Sequence, residues 1–443
     1  MKFYKYPITE ERTEIKIRPI QERPDVRERV EQIVEAVRSG GDAAIQEFTR
    51  RFDGVDLPLQ AVSRETLSRA LAELEPSLRK AIELAIRNIK TFHKAQYLQA
   101  QAEDESYIET QPGVTCTRLL RAIERVGLYV PGGSAPLFST LLMLAVPALL
   151  AGAKEIVVVT PPQQNRDYPV TSVVLAAAAL LGITEVYPIG GAQAIAALAF
   201  GTKTVRAVDK IFGPGNSYVD LAKQIVTTHP ACRVGIDLPA GPSEVCIIAD
   251  DSARIELIVA DLLAQAEHGP DSQVVLLTTS TRIFEGLQAE LARQTKLLPR
   301  RAICEKSLLC ARAALLNDLN EALNLSNEYA PEHLILAVNN AQQCLEKVTS
   351  AGSVFVGELA AESFGDYASG TNHVLPTVGW ARVTGGVSVA SFQKWITVQR
   401  LTQEGVDGLA PTVALLARAE GLEGHARAAE LRMTKYVRGG CNV

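Results

Sequence analysis

The 443-residue chain is poor in the features that usually announce a site. Its seven cysteines (Cys116, Cys232, Cys246, Cys304, Cys310, Cys344 and Cys441) are scattered, odd in number and form no CxxC. That points away from a zinc ribbon or a disulfide framework and toward a reducing compartment. No dense Lys/Arg run occurs and the net charge is −5, so the electrostatic signature of a nucleic-acid partner is missing. A membrane span is not expected either. The most apolar stretch, 137–153, is interrupted by Pro147, ended by Gly152 and followed by Lys154-Glu155, which suits a buried helix running into a strand. The opening Met1-Lys2-Phe3-Tyr4-Lys5-Tyr6-Pro7 has no apolar core before a cleavage site, so no signal peptide is read and the cytoplasm is expected. Histidine is scarce, with six in all, and four of these stand beside acids or amides in the second half.

What is present is an ordinary globular composition, 47% hydrophobic and 21% charged, in a chain longer than one core usually supports. From about residue 155, β-branched runs alternate with helical segments. Strands are predicted at 155–160, 185–189 and 208–212, and helices at 171–181, 192–200 and 217–228. A second series has strands at 245–249, 273–278, 307–310, 333–338 and 353–356, with helices at 253–266, 282–296, 315–327 and 341–349. Apolar strands of this kind imply parallel sheets buried on both faces. The fold class is therefore α/β, with two doubly wound, incompletely Rossmann-like lobes and a ligand crevice between them. The first ~120 residues read as helical and charged, clearest at 27–38 and 64–95. A small tail carries helices near 411–420 and 425–437, too short to bury much surface alone.

Three glycine-bearing loops fall in the first lobe. Gly213-Pro214-Gly215-Asn216-Ser217-Tyr218 approaches GxGxxG but has Tyr218 for the third glycine, with Asp237 downstream. A tight strand-to-helix turn explains it about equally well. Gly190-Gly191-Ala192-Gln193 offers free N–H groups at a helix start, and Tyr129-Val130-Pro131-Gly132-Gly133-Ser134 is the third loop. Together they make this lobe the expected home of a nucleotide.

The histidine segments suggest acid–base and metal chemistry. Gln265 and His268 share a helix face, with Asp261 four residues before Gln265. Their donor types suit zinc, although a plain histidine at a helix C-terminus is common. Asp366 and His373 bracket a polar loop expected to follow a strand end. Glu332 and His333 are adjacent, and can share a site only from the loop before a strand, since strand neighbours point to opposite faces. Glu420 and His425 are separated by Gly421 and Gly424, which break the helix between them. His93 and His229 read as structural or surface residues.

In this order the motifs resemble the histidinol dehydrogenase family over nearly the whole chain. They are Tyr-Val-Pro-Gly-Gly-Ser from Tyr129, Gly-Gly-Ala-Gln-Ala from Gly190, Asp-Lys-Ile-Phe-Gly-Pro-Gly-Asn from Asp209 and Pro-Ala-Gly-Pro-Ser-Glu from Pro239. Gln-Ala-Glu-His-Gly from Gln265, Pro-Glu-His-Leu from Pro331 and Gly-Asp-Tyr-Ala-Ser-Gly-Thr-Asn-His-Val-Leu-Pro-Thr from Gly365 complete the set. Leu137-Phe138 stands where many members have Tyr-Pro. The resemblance implies one zinc per subunit on Gln265, His268, Asp366 and His425, with Glu332 activating water and His333 as general base. It implies substrate contacts at Ser243, Glu362, His373 and Glu420 as well as at Gln265, His268, His333, Asp366 and His425, and NAD contacts at Tyr129, Gln193 and Asn216. It further implies four-electron oxidation of L-histidinol to L-histidine through bound L-histidinaldehyde, in a homodimer whose Glu420 and His425 enter the neighbouring site. The implied division is 1–23 as an N-terminal segment, 24–128 with 245–383 as the metal and substrate lobe, 129–244 as the NAD lobe and 384–443 as the tail. A zinc hydrolase is the competing reading, since a metal with Glu332 could activate water without a nucleotide, and a non-catalytic binding protein is the third.

Overall fold

The computed structural model describes residues 1–18, 24–104, 107–132, 137–164, 167–238 and 241–434. Gly133 and Ser134, Pro239 and Ala240, Cys441 and the end of the helix expected at 425–437 lie outside the described residues. The chain forms two compact units, Met1–Lys94 with Ile123–Phe392, and Ala95–Ala122 with Gln393–Val443. Among the described residues no helix is long and apolar enough to cross a membrane.

The first unit holds two sheets, each parallel throughout. One has the order Lys2–Lys5, Arg312–Leu315, Gln273–Thr278, Glu244–Ala249, His333–Ala337, Ser353–Val356. The other runs Glu185–Pro188, Glu155–Thr160, Arg125–Tyr129, Lys210–Phe212, Gly235–Ile236. Apart from Lys2–Lys5 at one edge, both follow the order third, second, first, fourth, fifth along the chain. That is the doubly wound arrangement, with its reversal between the first and fourth strands. Glu244–Ala249 and Gln273–Thr278 are buried at every position, as strands covered on both faces must be.

Several segments differ from the sequence reading. The strand expected at 307–310 falls in and just after helix Arg301–Leu309, and the strand is Arg312–Leu315. A short apolar run cannot separate the two states by periodicity. Here Cys304 and Ser307, one turn apart, both face inward, and the Ser307 hydroxyl donates to the Ser272 carbonyl at 3.0 Å. The charged N-terminal region also contributes a strand, Lys2–Lys5, in which only Tyr4 is buried, too little pattern for a strand signal. Helix Pro24–Phe48 sends Val26, Val30, Ile33, Val34, Val37 and Ile45 into the core of the five-stranded sheet.

In the second unit, strand Gln393–Leu401 pairs antiparallel with Val114–Ala122, which pairs in turn with Ile108–Gln111. Helices Gln403–Ala419 and Glu423–Glu430 pack through Ala414, Ala417 and Ala426. The tail therefore contains a strand as well as its two expected helices.

Candidate active site

The acid–base pair grows from the amino ends of the six-stranded sheet. Glu244 and His333 are the first residues of adjacent strands, and His333 is in register with Ser353 on its other side. The chain enters at Ala330, whose φ of 52° is left-handed, and passes Pro331 and Glu332 into the strand. Gly352 has to be glycine here, because a Cβ would lie 2.6 Å from the Glu332 carbonyl oxygen. Glu332 sits just before the strand and His333 just inside it, so the two share one site. Glu332 Oε2 accepts from the Glu244 N–H at 2.8 Å and lies 3.7 Å from His333 Nδ1.

His333 Nδ1 is 3.0 Å from the Glu244 carbonyl oxygen. A carbonyl only accepts, so Nδ1 carries the proton and Nε2 presents its lone pair. Among the described residues no hydrogen-bond partner meets Nε2. Burial pushes the imidazole down to about 3, so it is neutral at ordinary pH with the Nε2 lone pair exposed to the site. The same burial raises Glu332 well above the usual carboxyl range; the Glu244 N–H opposes the rise, and the charges of Glu244 and Asp366 add to it.

A cluster of metal-type donors lies beside this pair. Helix Ile255–Ala266 carries Gln265 into the interior, and His268 follows its end. After strand Ser353–Val356 the chain turns at Gly357 (φ 87°) and returns, so that helix Glu362–Tyr367 projects Glu362 and Asp366 from one face. His268, Glu362 and Asp366 each offer a ligand atom within 4.8 Å of the others. Glu362 Oε1 is 3.6 Å from His333 Nδ1, and Asp366 Oδ1 is 3.8 Å from His333 Nε2.

Both side-chain polar atoms of Gln265 and both carboxylate oxygens of Glu362 are buried without a partner. Leaving so many polar atoms unsatisfied is costly unless something polar or charged completes them. Imidazole nitrogen, amide oxygen and carboxylate are the donor set of a zinc-type ion, so the residues fit one. Burial lifts Glu362 well above its ordinary range, lifts Asp366 to about 7 and lifts Asp261 to about 6. Burial lowers His268, with Arg300 adding to it. A divalent cation would reverse the carboxylate shifts.

Asp366 and His373 do not flank a simple loop at a strand end. Asp366 belongs to a helical turn, and its carbonyl accepts from His373 Nδ1 at 2.8 Å, which leaves His373 Nε2 facing Thr140 Oγ1 at 3.3 Å. The intervening segment is held by the long helix Pro76–Asp104, where Asn88 Nδ2 donates to the Ala368 carbonyl at 2.9 Å. Buried His93 lies 3.3 Å from Asn372 Nδ2, which also donates to the Met143 carbonyl. His93 is therefore structural, as expected, yet it fixes the residue next to His373. His229 packs edge-on against Phe200. Ser243 is half-buried, and its carbonyl accepts from the Gln273 N–H. Sequence reasoning did not single out Glu244, Thr140 or Asn88; only Glu244 lay inside a quoted motif.

In the other lobe the glycine turns sit at the carboxyl ends of the strands. Gly213 has φ 118°, and a Cβ there would lie 2.2 Å from the Tyr129 carbonyl oxygen. The Gly213 N–H donates to Asp237 Oδ2 at 2.7 Å, and the buried Lys223 ammonium donates to the Gly213 carbonyl at 3.0 Å and pairs with Asp237. Asp237 thus locks the turn, with its carboxylate already held by the Gly213 N–H and Lys223. Asn216 Oδ1 caps helix Ser217–Thr228 by accepting from Tyr218 N and Val219 N, leaving Nδ2 as its donor. The buried Tyr129 hydroxyl accepts from the Gly191 N–H at 3.2 Å, and Gln193 is buried in the first turn of helix Gly191–Phe200. Glu420 and His425 belong to the second unit, where both are exposed. Glu420 ends one helix, Gly421 turns with φ 76°, and His425 lies in the next.

The histidinol dehydrogenase family model matches residues 16–433. A histidinol dehydrogenase of Xanthomonas euvesicatoria is 50% identical over 423 residues, covering 95% of this chain and 96% of its own. The Vibrio cholerae histidinol dehydrogenase is 47% identical over 422 residues, covering 94% and 95%. The crystal structure of histidinol dehydrogenase from Elizabethkingia anophelis superposes with a TM-score of 0.93 at 44% identity, covering 99% of both chains. With the acid–base pair, the donor cluster and the glycine turns in place on that fold, the chain belongs to the histidinol dehydrogenase family of oxidoreductases.

Proposed function

We propose that the chain oxidises L-histidinol to L-histidine in two steps through bound L-histidinaldehyde, with NAD as oxidant and one zinc ion per subunit. The observation that carries this reading is the unpartnered Nε2 of His333, fixed as a proton acceptor beside the His268, Glu362 and Asp366 donors. Gln265, His268 and Asp366, with the partner subunit's His425, would hold the zinc, which when bound serves as a template for the substrate's amine and imidazole. Tyr129, Gln193 and Asn216 would hold NAD, which accepts a hydride at each oxidation.

His333 Nε2 takes the hydroxyl proton of the alcohol as the carbon gives up its hydride, leaving the aldehyde. Glu332, steadied by the Glu244 N–H, takes a proton from water as it adds to the aldehyde carbon. The resulting hydrate anion loses a second hydride to give the carboxylic acid. Cation occupancy beside Glu332 favours its carboxylate, the form this step requires. Glu362 and His373 face the same cluster and orient the substrate, together with Ser243 and the partner subunit's Glu420. Burial of the pair keeps the aldehyde from water outside the site. The exposed Glu420 and His425 support a homodimer in which each tail completes its neighbour's site.

NADH formation from L-histidinol, with and without a chelator, tests the reading. Two NADH per histidinol, abolished by the chelator and restored by zinc, is the expected result. No NADH from metal-loaded protein would overturn it.

A further inference from the structure

Glu244 meets both members of the acid–base pair through its main chain, the N–H on Glu332 and the carbonyl on His333. Its side chain turns the other way, is 1% exposed, and is gripped by Arg18. Arg18 Nε donates to Oε1 and Nη2 donates to Oε2 at 2.9 Å, while the Val378 N–H donates to Oε1 at 3.1 Å. The guanidinium lies 3.9 Å over the Tyr329 ring, and Nη2 reaches the carbonyls of Tyr329 at 2.8 Å and Ala330 at 3.3 Å.

The backbone around this pair is strained. Among the described residues only Tyr6, Ala330 and Val378 are non-glycine residues with positive φ. Ala330 accepts from Arg18, and Val378 donates to Glu244. Such conformations persist only where surrounding contacts impose them. Ala330 is also two residues ahead of Glu332. A buried ion pair is a poor source of stability compared with apolar packing, so its use here suits geometry, and the planar fork of arginine is the group that can hold a carboxylate and two carbonyls together.

We propose that Arg18 is a positioning residue for the reaction, fixing Glu244 so that its main chain holds Glu332 and His333 in place for both oxidation steps. The proposal rests on the roles given above to Glu332 and His333. The test compares Arg18→Met, Arg18→Lys, Glu244→Gln and the double variant Arg18→Met/Glu244→Gln in the zinc-loaded full chain. Kinetic constants are measured on L-histidinol and on L-histidinaldehyde, alongside zinc content and the KM for NAD.

Arg18→Met is expected to lower kcat about 10- to 100-fold on both substrates alike, with zinc content and NAD KM unchanged. Arg18→Lys should recover only part of the loss, and the double variant should be no slower than the slower single. A folded Arg18→Met with kcat within about twofold of the parent on both substrates, or losses that multiply in the double, overturns the proposal. Where Arg18→Met does not fold, Arg18→Lys and the double variant, which strands no charge, carry the same test, and full activity in either overturns it. Nitrogen-15 NMR of labelled histidines supplies a readout independent of turnover. The His333 Nδ1–H signal should be sharp in the parent and broadened or lost in Arg18→Lys. An unchanged signal overturns the proposal even if the chain does not oxidise histidinol, so the two failures are distinguishable.

Discussion

The five-stranded and six-stranded sheets repeat one strand order but carry their functional groups at opposite ends. In the five-stranded lobe Tyr129, Gly190-Gly191 and Gly213 lie where strands end and helices begin. In the six-stranded lobe Glu244, Glu332 and His333 lie where strands begin. Each end offers a different chemistry. A strand turning into a helix presents N–H groups and close backbone approach, which suit an anionic dinucleotide. A strand's first residue has both main-chain groups at the rim, and Glu244 spends them on a carboxylate and an imidazole. On the proposed assignment, the rule that open α/β sheets bind at carboxyl ends describes only one of these lobes.

The largest effect is expected at the acid–base pair. His333→Gln should lower oxidation of L-histidinol about a thousandfold with little change in NAD KM, and a rise in NAD KM of similar size would move His333 to the other function. In the five-stranded lobe, Lys223→Met leaves Asp237 buried and unpaired and should cost about 3–5 kcal/mol in denaturant unfolding. A cost under about 1 kcal/mol would show that the pair does not lock the Gly213 turn. Two glycines sharpen the contrast. Gly213→Ala should raise NAD KM about tenfold through backbone strain and the clash with Tyr129, whereas Gly352→Ala should lower kcat by displacing Glu332. If each variant produced the other's effect, the assignment of ends would be reversed.

A further effect is a pH slope in metal-free protein. Asp366, held at about 7 when folded against 3.8 in the unfolded chain, keeps its proton while the unfolded chain loses it. Stability from this group is present below about pH 4 and lost as pH rises through 7. Asp366→Asn should remove that fall, at most about 1.4 kcal/mol per pH unit. His333 and His373, lowered to about 3 and about 4, contribute stability present above 6.5 and lost as pH falls. The difference between parent and variant isolates Asp366, and identical slopes would refute its raised value.

Local sequence made much of this legible. The βα alternation gave both lobes, and the step from loop to strand at Glu332-His333 allowed two side chains with opposite strand parity to share a site. The orientation of the second lobe was not legible, because Asp366 returns to the amino ends only after the chain doubles back at Gly357. Arg18 and Glu244, 226 positions apart, leave no periodic trace, and their pairing exists only in the fold. The edge strand Lys2–Lys5 is set by its partner Arg312–Leu315, since one buried tyrosine in four residues carries no strand signal.

We propose that one pair of residues at the amino ends serves two different oxidations. This is tested most directly by comparing Glu332→Gln with His333→Gln on L-histidinol and on L-histidinaldehyde. Glu332→Gln is expected to retain the alcohol step and lose the aldehyde step, while His333→Gln loses the alcohol step. Equal losses by both variants on both substrates would contradict the division of labour.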